Sequence, residues 1–370
     1  MALEVPRSIR GGGTTLLAQA NPKEADRPAR LKGLRVVVAG AGAIGSVLAL
    51  RLAEAGAQVA LCDPAPLGAN ASGVAAGMLA PAFETVLDPP TAGHFDLLRT
   101  ARDLWPALAE RVGVALDRSG ALWVGDAASN AEALARLKAA GASAEAVDAA
   151  QAQALSPGLR APAGGVFTTD DWTLDPMAVL TALHTAFQAG GGEIRRSAVI
   201  SGSGEDALIL AAGLAAEGLA PPSPELEVLQ PIKGQILHLD AEAPTSGPTV
   251  RGEGVYIVPR SAGPIVGATM EAGARDLRVD PAAIEALQAS AARLLPALAN
   301  APASGRAGVR ASTPDGLPLV GRSRTPGTWL AMGARRNGWL LAPLIADVLA
   351  DQLAGGDGGP WAPLFEPGRF

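Results

Sequence analysis

Apolar residues run almost unbroken through Arg35-Val36-Val37-Val38-Ala39 and again through Gln58-Val59-Ala60-Leu61-Cys62. Short continuous runs of this kind predict parallel strands covered on both faces. Between them, Ser46 to Gly56 carries leucine and alanine at helical spacing and stops on glycine, the usual mark of a helix C-terminus. Asp206-Ala207-Leu208-Ile209-Leu210 predicts a further buried strand, leading into Ala211-Ala212-Gly213. Strands are also predicted at Gly120–Val124 and Gln235–Leu239. Helical patterns cover Ala131–Ala140, a stretch from Asp175-Pro176 to about Gln188, Pro281–Leu294 behind Asp280 as N-cap, and Leu344–Leu353. A strand–helix–strand opening followed by mixed elements places the chain in the α/β class.

The join between the first strand and the first helix is Gly40-Ala41-Gly42-Ala43-Ile44-Gly45, a GxGxxG. The three glycines do different things. Gly40 permits the tight turn, Gly42 lets backbone approach a pyrophosphate, and Gly45 lets helix and strand pack closely. The helix start offers free N–H groups and a positive dipole end to phosphate. Asp63 closes the second strand, where a carboxylate can accept from adenosine ribose hydroxyls; it also fits a plain turn before Pro64. Strand, glycines, helix, strand and acid in that order predict a dinucleotide site.

Composition narrows the class further. The 370 residues are 48% apolar and 18% charged, enough for a large buried core. Thirty basic against thirty-six acidic side chains give a net charge of −6, which argues against a nucleic-acid or anionic-membrane partner. One cysteine, Cys62, and three dispersed histidines predict no disulfide framework and no metal site. The longest uncharged stretch, Pro64–Phe83, is broken by Pro, Gly and Asn and makes a poor membrane span. Residues 1–32, with Gly11-Gly12-Gly13 and three prolines, read as a flexible N-terminal extension rather than a signal peptide. A soluble cytoplasmic enzyme is the expectation, with homo-oligomerisation open.

The choice of dinucleotide falls to the rest of the chain. Where a nicotinamide dehydrogenase would continue with further βα units, Gly68 to Pro81 is a loop of small residues that lets backbone approach a large flat ligand. Four blocks beside the opening carry a family resemblance: Ala71–Pro81; Pro231-Ile232-Lys233-Gly234-Gln235; Val255–Arg260 with Val266-Gly267-Ala268-Thr269-Met270; and Gly308–Gly321 with Gly333–Pro343. Together they resemble the D-amino-acid oxidase superfamily of FAD enzymes, most closely its glycine oxidase branch, associated with thiamine biosynthesis. The resemblance implies a non-contiguous Rossmann-type FAD domain built from about 33–90, 155–222 and 305–370. Segments 91–154 and 223–304 would form a substrate domain around an antiparallel sheet. Between Glu193 and Gly213 the chain is shorter than the family's usual β-meander, and Arg195–Ser201 is expected to supply its single strand.

Carried onto this sequence, the family's cofactor contacts fall on Gly40, Gly42, Ala43, Ile44, Gly45, Asp63, Ala71, Ser72, Ala76, Gly77, Met78, Val199, Ala212, Gly213, Arg336, Asn337, Gly338 and Trp339. A helix beginning near Asn337-Gly338 would turn its positive end toward the flavin. Cys62 lies far from where related amine oxidases attach flavin covalently, so FAD is expected to be non-covalent. No Ser-His-Asp order or paired-carboxylate spacing stands out, which suits a reaction whose hard step belongs to a cofactor. An amino-acid substrate needs a cation for its carboxylate, and arginine offers a bidentate fork. The resemblance assigns that clamp to Arg310, a second hydrogen bond to Tyr256, a place near cofactor and entrance to Arg336, and a pocket wall to Met270. By residue type alone, Arg310 also fits a surface ion pair and Met270 plain core packing.

The implied activity is oxidation of glycine or another small amine by hydride transfer to flavin N5. Its products would be an imine, then keto acid and ammonia, and hydrogen peroxide formed from dioxygen. Two alternatives stand beside it: a D-amino-acid or sarcosine-type dehydrogenase that passes electrons to a quinone or protein, and a non-catalytic flavin-binding subunit.

Overall fold

A computed structural model of the chain describes residues 30–199, 204–214, 223–241 and 246–370. Arg35–Ala39 and Gln58–Cys62 pair in parallel, Val36 opposite Val59, and Ala207–Leu210 flanks the first strand on its other side. Glu193–Arg195 and Thr328–Met332 extend this parallel core, and Leu319–Arg322 closes one edge antiparallel. The helices Ala43–Glu54, Pro176–Ala189 and Gly338–Leu353 pack together on one face through Leu48, Leu52, Leu180, Leu183, Ile345 and Leu349. The other face carries a smaller apolar layer that includes Val37, Cys62, Leu208 and Met332. Continuous apolar strands thus sit where both sides are covered.

The second sheet has nine strands. Its spine is Gln230–Leu239, which pairs along its whole length with Ala303–Ser312, from Gln230 opposite Ser312 to Leu239 opposite Ala303. Ile265–Gly267, Val255–Val258, Thr249–Gly252, Ala121–Trp123, Gly165–Thr168 and Ala144–Val147 continue it in that order. The helix Pro281–Leu294 starts as expected, with the Asp280 side chain accepting from the Ala282 N–H, and buries Leu287, Ala291 and Leu294 beneath the sheet.

Several sequence expectations need adjustment. The helical pattern Leu344–Leu353 extends back through Pro343 to Gly338, the helix start expected near Asn337-Gly338. Proline cannot donate to the carbonyl four residues back, that of Trp339. The Trp105 indole N–H takes that carbonyl instead, at 3.1 Å, so the helix runs on without an orphaned acceptor. The edge strand is Glu193–Arg195, ending where Arg195–Ser201 was expected to begin. Arg196, Ser197 and Ala198 are exposed and have nothing to bury against the sheet, and residues 200 and 201 lie outside the described residues. Most of the expected N-terminal extension, 1–29, also lies outside them. Leu31, however, is buried in the first core, and its N–H donates to Ala55. Sheet membership crosses the expected domain limits: Gly165–Thr168 and Ala303–Ser312 belong to the large sheet. The helices Phe95–Asp103 and Trp105–Val112 bury Leu97, Leu98, Trp105 and Leu108 in the first core.

Candidate active site

The glycine turn is built as its spacing requires. Gly40 has φ +108°, and a Cβ there would come within 2.6 Å of the Ala211 carbonyl oxygen. A Cβ on Gly45 would overlap the Gly40 carbonyl oxygen, which is why strand and helix can lie this close only with glycine at both positions. Gly42, Ala43, Ile44 and Gly45 form the helix entrance, where the Ser72 hydroxyl accepts from the Ala43 N–H at 2.9 Å. Asp63 accepts from the Ala41 N–H through Oδ2 and from the Ala65 N–H through Oδ1, both at 2.9 Å. Its carboxylate ties the glycine turn to the end of the second strand. Ala212 and Gly213 follow the third strand beside Gly40, and Val199 is buried in the apolar layer on the opposite sheet face.

A second group of predicted residues meets farther along. Asn70 caps the short helix Ala71–Val74 by accepting from the Ser72 and Gly73 N–H groups. The Trp339 indole donates to the Ser72 carbonyl at 3.1 Å, which joins this loop to the C-terminal helix. That helix opens at the buried Asn337, and a Cβ on Gly338 would meet nothing within 4 Å. Ala71, Ala76, Gly77, Met78, Asn337 and Trp339 line one cavity of about 340 Å³, and Tyr256, Met270, Arg310 and Arg336 line it too. Residues drawn from four distant blocks therefore converge on one space.

Arg310 lies on the long strand Ala303–Ser312, opposite Ile232, and its guanidinium passes over Gly234. Its side chain approaches Met270 Sδ at 3.7 Å. Burial pulls its pKa below the ordinary arginine value, partly offset by Tyr256. Tyr256 stands on Val255–Val258 with its hydroxyl over Gly267. Burial pushes that hydroxyl up, against the pull of Arg310, Arg336 and Arg251, so it is a neutral donor. Met270, 43% exposed, sits at the rim.

Three groups at this site escaped sequence reading. Glu84, on the helix Pro81–Leu87, is buried and pairs with Arg336, Nε to Oε2 at 3.0 Å. It also pairs with Arg251, itself almost wholly buried, at 3.2 Å. Burial pushes the Glu84 carboxyl up, but the Arg336 and Arg251 charges outweigh it and hold the group below the usual range. Asp171 accepts from the Ala82 and Phe83 N–H groups at 2.8 and 3.2 Å, capping that same helix from far along the chain. The only signal was Glu84 as a lone charge after the uncharged stretch Pro64–Phe83; Arg251, with Glu253 two residues on, gave none. Lys233 pairs with Asp276 at 2.8 Å and is buried, a structural role at the start of the spine strand. Among the described residues no group of three His, Cys, Asp or Glu side chains is placed to hold a metal ion, and no helix is long and apolar enough to cross a membrane.

A glycine-marked helix entrance, joined through Ser72 to a cavity lined by the small-residue loop and the start of the C-terminal helix, fits a dinucleotide bearing a flat ring. The sheets, turn and cavity define a dinucleotide-dependent oxidoreductase. Comparison with known proteins carries this to a family: residues 35–352 match the profile of the DAO family, FAD dependent oxidoreductase, and the chain belongs to that family. It is 33% identical over 366 residues to a glycine oxidase of Pseudomonas aeruginosa, covering 89% of this chain and 98% of that one. A glycine oxidase of Geobacillus kaustophilus is 28% identical over 348 residues, covering 85% and 92%. The crystal structure of glycine oxidase from Geobacillus kaustophilus superposes with a TM-score of 0.80 at 26% identity, over 91% of this chain and 99% of that one. The chain is an FAD-dependent amino-acid or amine oxidase of the glycine oxidase type.

Proposed function

We propose that the chain oxidises glycine or another small amino acid or N-alkylglycine to an imine, with dioxygen reduced to hydrogen peroxide. The amine loses two electrons and two protons, which dioxygen takes up, and water then converts the imine to a keto acid and an amine or ammonia. When bound, FAD supplies the two-electron step, receiving hydride from the substrate α-carbon. The residues proposed to hold it are those of the Gly40–Gly45 turn, Asp63, the Ala71–Met78 loop and the Asn337–Trp339 helix start.

One observation carries the substrate reading: Arg310 is a guanidinium lining the cavity with no carboxylate paired to it among the described residues. A substrate carboxylate supplies the missing partner through a bidentate fork, and Tyr256 donates a further hydrogen bond. This fixes the α-carbon in one orientation, which is the protein's main contribution to such a reaction. Among the described residues, Arg251, Arg310 and Arg336 line the cavity against Glu84 alone. That excess of positive charge disfavours an ammonium and favours the neutral amine, the form that gives up hydride.

The test is anaerobic mixing of flavin-loaded protein with glycine, sarcosine, D-alanine and D-proline, followed by air. Bleaching of the visible flavin band by glycine or sarcosine, with recovery and peroxide on aeration, is expected. Bleaching without prompt recovery would move the protein to the dehydrogenase class.

A further inference from the structure

Glu84 serves two guanidiniums unequally. Arg336 lies against both oxygens, with Nη2 donating to Oε1 at 3.1 Å and Nε 3.0 Å from Oε2 as an ion-pair contact, although Oε2 accepts no hydrogen bond. Arg251 reaches Oε1 alone, with Nη1 at 3.3 Å and Nη2 at 3.2 Å, each slightly longer than the Arg336 contacts. Its other polar neighbour is Met78 Sδ at 3.4 Å, and its buried Nε has no hydrogen-bond partner. The residue is only 3% exposed, and it meets solvent or ligand through the cavity it lines. A buried guanidinium with one shared, loosely held oxygen is short of acceptors.

Its place in the sheet shows where an acceptor would come from. Arg251 is directly opposite Tyr256, and Tyr256 is directly opposite Gly267, so the three project as one cross-strand row. All three line the cavity that Arg310 enters. Among the described residues Glu84 is the one acidic side chain along that lining, against three arginines. A single substrate carboxylate on Arg310 leaves one positive charge uncompensated, and Arg251 is the cation with the weaker pairing.

Resting on the amine oxidation proposed above, we infer that Arg251 is a specificity-determining residue that binds a second substrate carboxylate, so that the favoured substrate is a dicarboxylic amine. One carboxylate lies on Arg310 and Tyr256, and the other, carried on the amine substituent or the side chain, reaches Arg251 beside Tyr256. Sarcosine and iminodiacetate test this cleanly, since both are N-substituted glycines and differ in a methyl against a carboxymethyl group.

With flavin-loaded wild-type protein, kcat/KM for iminodiacetate is expected to exceed that for sarcosine by about tenfold or more. Arg251→Gln should collapse that ratio toward one, and Arg251→Lys should restore part of it. A structural role alone would lower both substrates together and leave the ratio unmoved, overturning the inference. Should Arg251→Gln fail to fold, inhibition of the wild type by malonate against acetate gives the same reading: malonate should bind about tenfold more tightly, and equal inhibition overturns it. Oxidation of glycine and sarcosine without preference for the diacid sinks this inference and leaves the amine oxidase standing. Bleaching by none of these amines sinks both.

Discussion

The guanidinium of Arg310 occupies the space where Gly234 has no side chain: a Cβ at 234 would overlap it. The two residues sit on the paired long strands, Arg310 opposite Ile232, two residues along from Gly234. Glycine here is a matter of room rather than of backbone angle. Gly234→Ala should therefore displace the proposed carboxylate clamp while the flavin stays bound. A fall in kcat/KM for the amine of about tenfold or more is expected, with an unchanged flavin spectrum. Steady-state kinetics beside the visible spectrum checks it, and an alanine variant with wild-type kinetics would show that Arg310 does not need that position.

Arg310→Ala removes the clamp outright. Loss of a buried cation from its anionic partner costs a few kcal/mol, so kcat/KM should drop on the order of a hundredfold or more, mainly through KM. Retention of flavin separates this from a structural role, and apoprotein on purification would reassign Arg310 to folding.

Gly42→Val places branched carbons beside Ser72 Oγ, which already lies 2.9 Å from where a Cβ would stand. It also fills the approach to the helix entrance. The variant should purify without FAD, read as a flavin-to-protein ratio near zero. A yellow variant would refute the dinucleotide assignment.

Glu84→Gln leaves the buried Arg251 and the half-buried Arg336 without their shared negative charge. Stripping one partner from a buried ion pair costs about 3 kcal/mol or more, so a clear drop in the denaturant midpoint is expected. A midpoint within experimental error of wild type would mean that the pair contributes nothing net.

Burial raises the Asp171 carboxyl to about 7, against Arg251 and the Ala82 and Phe83 N–H groups. The folded chain then keeps a proton that the unfolded chain releases near pH 4. Stability from this group is complete below that point and falls as pH rises through about 7, above which the buried carboxylate is fully charged. Asp171→Asn is neutral throughout. Its melting temperature relative to wild type should therefore rise between pH 5 and pH 8, and parallel curves across that range would count against the assignment.

Much of the framework could be read in the chain because it is local. The run Arg35–Ala39, the Gly40–Gly45 turn and the helix behind it lie within a few residues of one another, and each element's signal is its own periodicity. The helices behind Asp175 and Asp280 were equally legible, since an acid before proline at a helix start satisfies exposed N–H groups on the spot. The start of Gly338–Leu353 near Asn337-Gly338 was expected, but its continuity with the pattern Leu344–Leu353 was harder to read, because Pro343 signals a break that the distant Trp105 indole repairs.

The sequence by itself determined the α/β class, the dinucleotide turn, and, through blocks that resemble a family, the choice of Arg310 and Tyr256. Only the tertiary structure decided what else faces those residues. Glu84, Arg251 and Asp171 carry no local pattern, and Glu84 meets Arg251 across 167 positions of chain. Burying an ion pair depends on which segments exclude water together. That is a property of the packed sheet, helix and loop, and no window of the sequence contains it.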